Sequence, residues 1–310
     1  MSVSDSSQIA DTFDPPLLLR NVHVQTIGSS LFARKPTLPA PTTRLITTQD
    51  NIRLQAFIHE VPEGQSINRQ ALLLHGWLGS ADSTYILKTT ANLLAAGYTV
   101  IRLNLRDHGD TAHLNEEMFH SARTKEVVDA CVELADRPTG IIGFSLGGNF
   151  ALRVCAQTEL PALAICPAID PASSCVAIDQ GPLVYRSYFL RKWYRALDAK
   201  ARAFPDLYDF SSVQNIKTVI ELTNRFIGGH LPYPSSQEYF DAYRIRADML
   251  TGKAARIIAS KDDPVIPWKS VAQLEGHVNL ILTERGGHCG YVPDSWLNRQ
   301  MLDFLEETLA

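Results

Sequence analysis

The sequence predicts an α/β fold whose central sheet is mostly parallel, with helices on both faces and an inserted helical cap. From residue 70 onward, short apolar runs alternate with helical patterns. Such alternation requires a parallel sheet that is covered on both faces. Residues 42–48 and 52–59 alternate between apolar and polar side chains, which predicts an antiparallel hairpin at one edge. Residues 171–252 contain helical and turn-rich sequence without a good buried strand, which indicates the insertion.

The individual elements are expected in a regular order, separated by turn residues. Strands after the hairpin are predicted at 70–74, 99–103, 140–144, 162–166, 256–259 and 278–282. Helices are predicted at 83–96, 122–134, 149–157, 268–274 and 295–309. Residues 1–14 are expected to be loosely attached, and residues 15–32 to form a short arm that packs on the body.

The domain organisation follows from this order. Residues 1–41 are predicted to be an N-terminal arm and linker, and residues 42–310 the main domain. A helical cap, at about 172–252, is predicted to lie over the carboxyl ends of the strands, where α/β sheets bind ligands. It contains 13 of the 26 aromatic residues of the chain, which favours an apolar cover over the site. The alternative is that these aromatics form a small core of their own.

Composition excludes several classes of protein. The chain has 310 residues, 20% of them charged, and a net charge of −4. It therefore lacks the excess of basic residues that is typical of nucleic-acid-binding proteins. No apolar run approaches the roughly 18 residues of a membrane span. Five cysteines lack CxxC spacing and no signal peptide precedes them. We expect mostly buried free thiols and a cytoplasmic protein.

The candidate nucleophile is Ser145, in the stretch Gly-Phe-Ser-Leu-Gly-Gly at 143–148. An apolar strand leads into this stretch and a helical pattern leads out of it. The Gly-x-Ser-x-Gly spacing suits a sharp turn in which a side chain at either flanking glycine would collide. A Gly-rich turn without any chemistry gives the same pattern, so the nucleophile needs partners elsewhere in the chain.

An oxyanion hole is the first such partner. The strand at 70–74 ends in His-Gly-Trp-Leu-Gly at 75–79, and the loop after this strand is expected beside the nucleophile turn. Main-chain N–H groups of Trp77 and Leu146 are the predicted donors. The alternative is a tight turn with purely structural glycines, and His75 itself is interpreted as structural.

The acid and the base are expected after the last two strands. Asp262 and Asp263 both follow the strand at 256–259, and the Pro-Val-Ile-Pro tail favours Asp263 as the acid. The remaining aspartate suits a helix N-cap ahead of Trp268. His288 is the candidate base, because it lies in a Gly-rich loop after the last strand. A neutral imidazole is needed for this role, so activity is expected to fall below about pH 6.5.

Here the chain resembles a known family. The order Ser, Asp, His, each after a strand, is that of an α/β-hydrolase, and within this fold the chain resembles the YheT-like, embryogenesis-associated hydrolases. The resemblance covers nearly the whole chain and rests on segments 21–27, 75–80, 105–111, 143–148, 262–264 and 286–288. It implies a serine hydrolase of carboxylic esters, with acylglycerols or phospholipids as substrates of some members. The membrane-anchoring N-terminal segment of animal members is not found here.

Two charged groups have competing interpretations. Arg106, Asp107, His108 and Asp110 are predicted to form a network that braces the catalytic loops, rather than a substrate or metal site, since no metal-ligand spacing is evident. The basic residues of the insertion are predicted to form a solvated helix face, with contact to anionic lipid headgroups as the alternative. These are Arg186, Arg191, Lys192, Arg195, Lys200 and Arg202.

The sequence therefore predicts a carboxylic-ester hydrolase that uses Ser145, His288 and Asp263, needs no cofactor or metal, and acts on short-to-medium acyl esters. One alternative is a lipase or phospholipase at a membrane surface, with peripheral membrane contact. Thioester hydrolysis and acyl transfer would use the same residues. An alternative of another class is a ligand-binding homologue without catalysis. The oligomeric state is left open.

Overall fold

The structure, a computed structural model, describes residues 12–31 and 34–310. Most of the segment expected to be loosely attached, residues 1–11, lies outside the described residues. Phe13 belongs to the same expected segment, but it is buried, with its ring against Tyr291 and Trp296. The expectation of loose attachment is therefore wrong at Phe13, because a buried aromatic cluster fixes it to the body.

Eight strands of the described chain form one sheet in the order β1-β2-β4-β3-β5-β6-β7-β8. The strands are β1 (Thr42–Thr47), β2 (Arg53–His59), β3 (Gln70–Leu74), β4 (Thr99–Leu103), β5 (Thr139–Phe144), β6 (Ala162–Ile165), β7 (Ala255–Ser260) and β8 (Asn279–Thr283). β1 and β2 pair antiparallel, as do β2 and β4, and every other pairing is parallel. The predicted hairpin and the mostly parallel sheet are confirmed.

Helices cover both faces of this sheet. They are α1 (Val22–Leu31), α2 (Thr84–Ala95), α3 (Thr124–Leu134), α4 (Leu146–Gln157), α5 (Pro171–Gln180), α6 (Leu183–Ala203), α7 (Val219–Ile227), α8 (Ser236–Asp241), α9 (Trp268–Ala272) and α10 (Ser295–Thr308). Short 3-10 helices lie at Leu17–Leu19, Ser211–Val213 and Ala247–Met249. The predicted helices are present, and α1 adds a helix that the sequence did not predict.

The strands supply two separate cores, one on each side of the sheet. In β3, Leu72 and Leu74 join one hydrophobic cluster, whereas Ala71 and Leu73 join the other. This division follows from the two-residue period of a strand. All five residues of β3 are buried, as expected for a central parallel strand.

The segment from α5 to the last 3-10 helix, called the helical insert below, lies between β6 and β7 in the chain. Its buried residues, among them Leu190, Leu222 and Phe226, belong to the same cluster as one face of the sheet. The helical insert is thus packed on the body through a shared core.

The division of the chain into an arm at 1–41 and a main domain at 42–310 stays a prediction. Within the described residues, no helix has both the length and the apolar character that crossing a membrane would need.

Candidate active site

Ser145 lies on the sharp turn between β5 and α4, with a positive φ of 54° and ψ of −118°. A non-glycine residue is rarely held in this region of backbone space, and such strain is typical of functional sites. The flanking glycines make the turn possible. A Cβ on Gly143 would lie 2.2 Å from the Gly147 carbonyl oxygen, and one on Gly147 would lie 2.3 Å from the Leu74 carbonyl oxygen. The turn therefore excludes side chains at both positions, as the sequence predicted.

A continuous hydrogen-bond chain runs from this serine to a buried carboxylate. His288 Nε2 lies 3.0 Å from Ser145 Oγ, and His288 Nδ1 lies 2.9 Å from Asp263 Oδ2. The Asp263 side chain is only 2% exposed. Its other oxygen accepts hydrogen bonds from the Val265 and Ile266 N–H groups, at 2.7 and 2.9 Å. These bonds hold the carboxylate in the orientation that reaches the imidazole.

The neighbouring aspartate has a different partner. Asp262 Oδ1 accepts a hydrogen bond from the Gly287 N–H at 2.9 Å. It does not cap the helix at Trp268, because the N-cap position of α9 is Pro267; that interpretation is wrong. Both aspartates thus hold the histidine loop, but Asp263 is the one that contacts the imidazole.

His288 has a pKa raised to about 9. Burial by itself lowers this pKa, because it disfavours the charged imidazolium. The negative charge of Asp263, the Cys289 sulfur and the hydrogen bond to Asp263 raise it, and together they outweigh burial. The structure therefore favours the protonated imidazole up to a higher pH than the sequence alone suggests.

The N-terminal arm contacts the histidine loop directly. The His288 N–H donates to Thr26 Oγ1 at 3.0 Å. The side-chain amide of Gln25 donates to the Val292 carbonyl and accepts from the Val292 N–H, at 2.8 and 2.7 Å. A Cβ on Gly290 would lie 2.3 Å from the Gln25 carbonyl oxygen, so the two segments are in close contact. Packing of the arm on the body is confirmed, but its contact with the candidate base was not predicted. The one sequence signal for it is the motif at 21–27.

The proposed oxyanion donors belong to two segments next to Ser145. Leu146 is the first residue of α4, so its N–H has no partner within the helix. It points out of the N-terminal end of the helix, toward the turn that holds Ser145. The loop that contains Trp77 lies against the nucleophile turn, since a Cβ on Gly76 would be 3.2 Å from Ser145 Cβ.

The N–H groups next to Trp77 are both occupied. Gly76 donates to the Tyr85 hydroxyl at 2.8 Å, and Leu78 donates to His108 Nε2 at 3.1 Å. Of these three consecutive N–H groups, that of Trp77 is thus the one left for a substrate oxygen. Its role as a donor, like that of Leu146, stays a prediction.

A cavity of about 110 Å³ opens beside Ser145. Six aromatic side chains of the helical insert line it, which confirms the expected apolar cover for these six: Phe189, Trp193, Phe226, Tyr239, Phe240 and Tyr243. Trp77, Val265 and Ile266 are among the residues outside the insert that also line it. Of the other aromatics in the insert, Tyr185 binds His23 of the arm and Tyr194 donates to main-chain carbonyls. The cavity therefore suits an apolar group attached to the atom that Ser145 attacks.

Of the four charged residues after β4, Arg106, Asp107 and His108 make bracing contacts, as predicted. Asp110 is exposed, and the prediction is wrong for it. Arg106 is buried and paired with Glu126 at 2.5 Å. His108 Nε2 accepts a hydrogen bond from the Leu78 N–H and so holds the loop that contains Trp77. Burial lowers the pKa of His108 to about 4, which keeps the imidazole neutral and able to accept that bond.

Lys200 is a correction to the predicted solvated face of the insert. It is only 2% exposed and lies 3.0 Å from Asp107 Oδ1. Its ammonium group also donates to the carbonyl oxygens of Ala112, Asn115 and Glu117. Arg191, Arg195 and Arg202 are exposed as expected, whereas Arg186 and Lys192 are partly buried and donate to the carbonyl oxygens of Asp179 and Leu78. The contacts of Lys200 link α6 to the loop after β4. They also make the burial of Lys200 tolerable, because the carboxylate and the carbonyl oxygens replace the water that its ammonium group loses.

One group of side chains has the residue types of a metal site. Donor atoms of Cys166, His288 and Cys289 lie within 4.8 Å of one another. Both nitrogens of His288 already contact Ser145 and Asp263. A metal at this point would therefore displace one of those two partners.

All five cysteines are free, and Cys131, Cys155 and Cys166 are buried, which agrees with the expected thiols.

Comparison with known proteins finds a matching family and several similar proteins. Residues 71–297 match the family described as the alpha/beta hydrolase family. The chain is 24% identical to a candidate esterase of Escherichia coli, YheT, over 98% of this chain and 96% of that protein. It is 25% identical to mouse phospholipase ABHD3, over 73% of this chain and 59% of that protein. A solved esterase of Pyrococcus furiosus, Pf2001, superimposes with a TM-score of 0.56 at 19% identity, over 87% and 91% of the two chains. This last likeness is one of fold.

Proposed function

The chain belongs to the alpha/beta hydrolase family, and on this basis we propose that it is a serine hydrolase of carboxylic esters. The hydrogen-bond chain from Ser145 through His288 to Asp263 carries the proposal, because it ends beside an apolar cavity. A serine hydroxyl bound to an imidazole, which is itself oriented by a buried carboxylate, is the arrangement that generates a nucleophile.

Each residue has a defined part in the proposed reaction. His288 Nε2 takes the proton from Ser145 Oγ as that oxygen attacks the ester carbonyl carbon. Asp263 keeps the imidazole in the required orientation and stabilises the imidazolium. The N–H groups of Trp77 and Leu146 stabilise the negative charge on the former carbonyl oxygen. The alcohol leaves with the proton from His288, and an acyl group remains on Ser145.

The second half of the reaction reverses these roles. A water molecule gives its proton to His288 and attacks the acyl carbon. Collapse of this second intermediate breaks the bond to Ser145, whose oxygen recovers the proton from the imidazole. The carboxylic acid is released, and the site returns to its starting state.

The size of the cavity favours short-to-medium acyl groups as substrates. An apolar cavity of about 150 Å³ holds a benzene molecule in another protein, so about 110 Å³ accommodates a short apolar chain. The aromatic rings of Phe189, Trp193 and Phe240 limit its extent. A methylene group in an apolar pocket changes binding by about 1–3 kcal/mol, which is enough to give a clear optimum of chain length.

Replacement of the nucleophile tests this function. Ser145→Ala should keep the circular dichroism spectrum and lose both turnover of nitrophenyl butyrate and labelling by a fluorophosphonate probe. Ser211→Ala, an exposed serine of the helical insert, is the matched control and should behave as the wild type. Ester turnover retained by a pure, folded Ser145→Ala variant would refute the proposal.

A further inference from the structure

Large apolar side chains are exposed mainly in two segments of the described chain. Of eleven such residues, three lie in the N-terminal arm and three at the start of α6. The exposed fraction is 91% for Leu18, 77% for Leu17 and 66% for Leu183. The six, called the apolar patch below, are Leu17, Leu18, Val24, Leu183, Val184 and Tyr188. Exposed apolar residues that occur singly need no explanation, whereas a cluster marks an interaction site.

The two parts of the apolar patch are held together by a specific contact. His23 Nδ1 of α1 lies 2.7 Å from the Tyr185 hydroxyl of α6. Val24 follows the first of these residues in the chain, and Val184 precedes the second. The Gln25 side chain also donates to the Leu19 carbonyl, which ties Leu17 and Leu18 to α1. These contacts therefore bring the arm next to the start of α6.

Positive charge lies next to this surface. Val184, Tyr188, Arg191 and Arg195 are all exposed, and their spacing of four, three and four residues places them on one side of α6. The helix contains six basic residues and one acidic residue, Asp198. The exposed side of α6 is thus apolar at its start and basic further along.

The opposite side of the same helix faces the candidate active site. Phe189 and Trp193 line the cavity beside Ser145. The Phe189 ring is stacked on that of Trp77, with centroids 5.5 Å apart. Val184 and Tyr188 of the apolar patch consequently lie on the outer side of the helix that covers the cavity.

We propose that the apolar patch docks on an anionic lipid surface. Apolar side chains next to arginines are the combination that binds at the boundary between headgroups and acyl chains, and cationic side chains gain from the negative potential of such a surface. Leu17, Leu18, Leu183 and Val184 enter the acyl region, while Arg191 and Arg195 contact anionic headgroups. Delivery of an ester from this surface to Ser145 rests on the proposed function; the docking itself does not.

Vesicle binding by the full-length protein tests the docking. Vesicles of phosphatidylglycerol and phosphatidylcholine should bind the wild type in a flotation assay, and vesicles of phosphatidylcholine alone should bind it much less. High salt should weaken the binding, because it screens the arginines. The double variant Leu183→Ser/Val184→Ser should lose at least about tenfold in partition, since two exposed apolar side chains no longer leave water.

Matched variants distinguish docking through the apolar patch from a general effect of surface hydrophobicity. Leu45→Ser/Val132→Ser changes two exposed apolar residues outside the apolar patch and should bind vesicles as the wild type does. Ser145→Ala should also bind fully while it lacks ester turnover, so failure of docking and failure of the proposed function are distinguishable.

Three results would overturn the docking proposal. One is the absence of binding to anionic vesicles. Another is an equal loss of binding in the patch variant and in the Leu45/Val132 control. The third is a dimer in solution that Leu183→Ser/Val184→Ser dissociates, which would assign the apolar patch to a second copy of the chain.

Discussion

Replacing Lys200 by Met should destabilise the protein strongly, because it leaves the carboxylate of Asp107 buried without its cation. Lys200 is 2% exposed and the Asp107 side chain is 10% exposed. Burial lowers the pKa of Lys200 and raises that of Asp107, so each charge depends on the other to stay in the interior. In the variant, Asp107 keeps only the N–H of Phe119 at 2.7 Å and the more distant Arg106.

The expected loss follows from the cost of breaking a buried ion pair, about 3–5 kcal/mol. Unfolding entropy is about 2.1 cal/mol/K per residue, so for a chain of this length the midpoint of thermal unfolding falls by about 5–8 °C. The measurement is urea and thermal unfolding followed by circular dichroism at pH 7. Part of the loss comes from the carbonyl oxygens of Asn115 and Glu117, which lose their donor.

Two further variants make this reasoning refutable. Lys200→Met/Asp107→Asn should recover about half of the lost stability, because no uncompensated charge remains. The difference between the single and the double variant should shrink as pH falls toward the raised pKa of Asp107, since the protonated carboxyl needs no cation. Arg202→Met, an exposed change on the same helix, should cost little. A loss below about 1 kcal/mol for Lys200→Met would show that this ion pair is no stronger than a surface pair.

The remaining predictions concern catalysis. The kcat/KM for a soluble nitrophenyl ester should rise with pH to a midpoint near 9, rather than the 6.5 of an ordinary histidine, because His288 must be neutral to act as base. Asp263→Asn should lower kcat by about 10³- to 10⁴-fold and move this midpoint to lower pH, since the charge and the hydrogen bond of Asp263 raise the pKa of His288. Phe240→Ala should enlarge the cavity and shift the optimum of kcat/KM, over esters of two to sixteen carbons, toward longer chains.

Each of these predictions has a control within the chain. Asp262→Asn removes a carboxylate that binds Gly287 instead of the imidazole, so it should cost far less activity than Asp263→Asn; the reverse order would make Asp262 the acid. If the midpoint of the rise of kcat/KM with pH is the same in the wild type and in Asp263→Asn, this result would contradict the assignment of that midpoint to His288. Phe210→Ala, a buried aromatic of the helical insert outside the cavity, should leave the chain-length optimum in place.

Local sequence carried enough information to place the strand-turn-helix around Ser145. The flanking glycines and the apolar run of β5 are short-range signals that depend on sterics and burial. The histidine loop could be found for a similar reason, because glycines on both sides of His288 follow the last strand. The choice between Asp262 and Asp263 depended on the shape of the turn, which directs one carboxylate to the imidazole and the other to Gly287.

Long-range contacts were beyond prediction from a single sequence. In the sequence, Lys200 cannot be distinguished from the other basic residues of α6. It is buried because it contacts Asp107, 93 positions earlier in the chain. The raised pKa of His288 likewise results from a balance between burial and the Asp263 charge. The contact of Thr26 with His288 spans 262 positions and leaves no periodic pattern.

The place of Thr26 has a consequence for how the protein can be divided. The boundary predicted near residue 41 separates a structural arm from the main domain, but the arm supplies an acceptor to the backbone of His288 and fills the space beside Gly290. A protein that began at residue 42 would keep every candidate catalytic side chain and lose the surface against which the histidine loop packs. The length of polypeptide that holds the geometry of the candidate site is therefore greater than the length that contains its side chains.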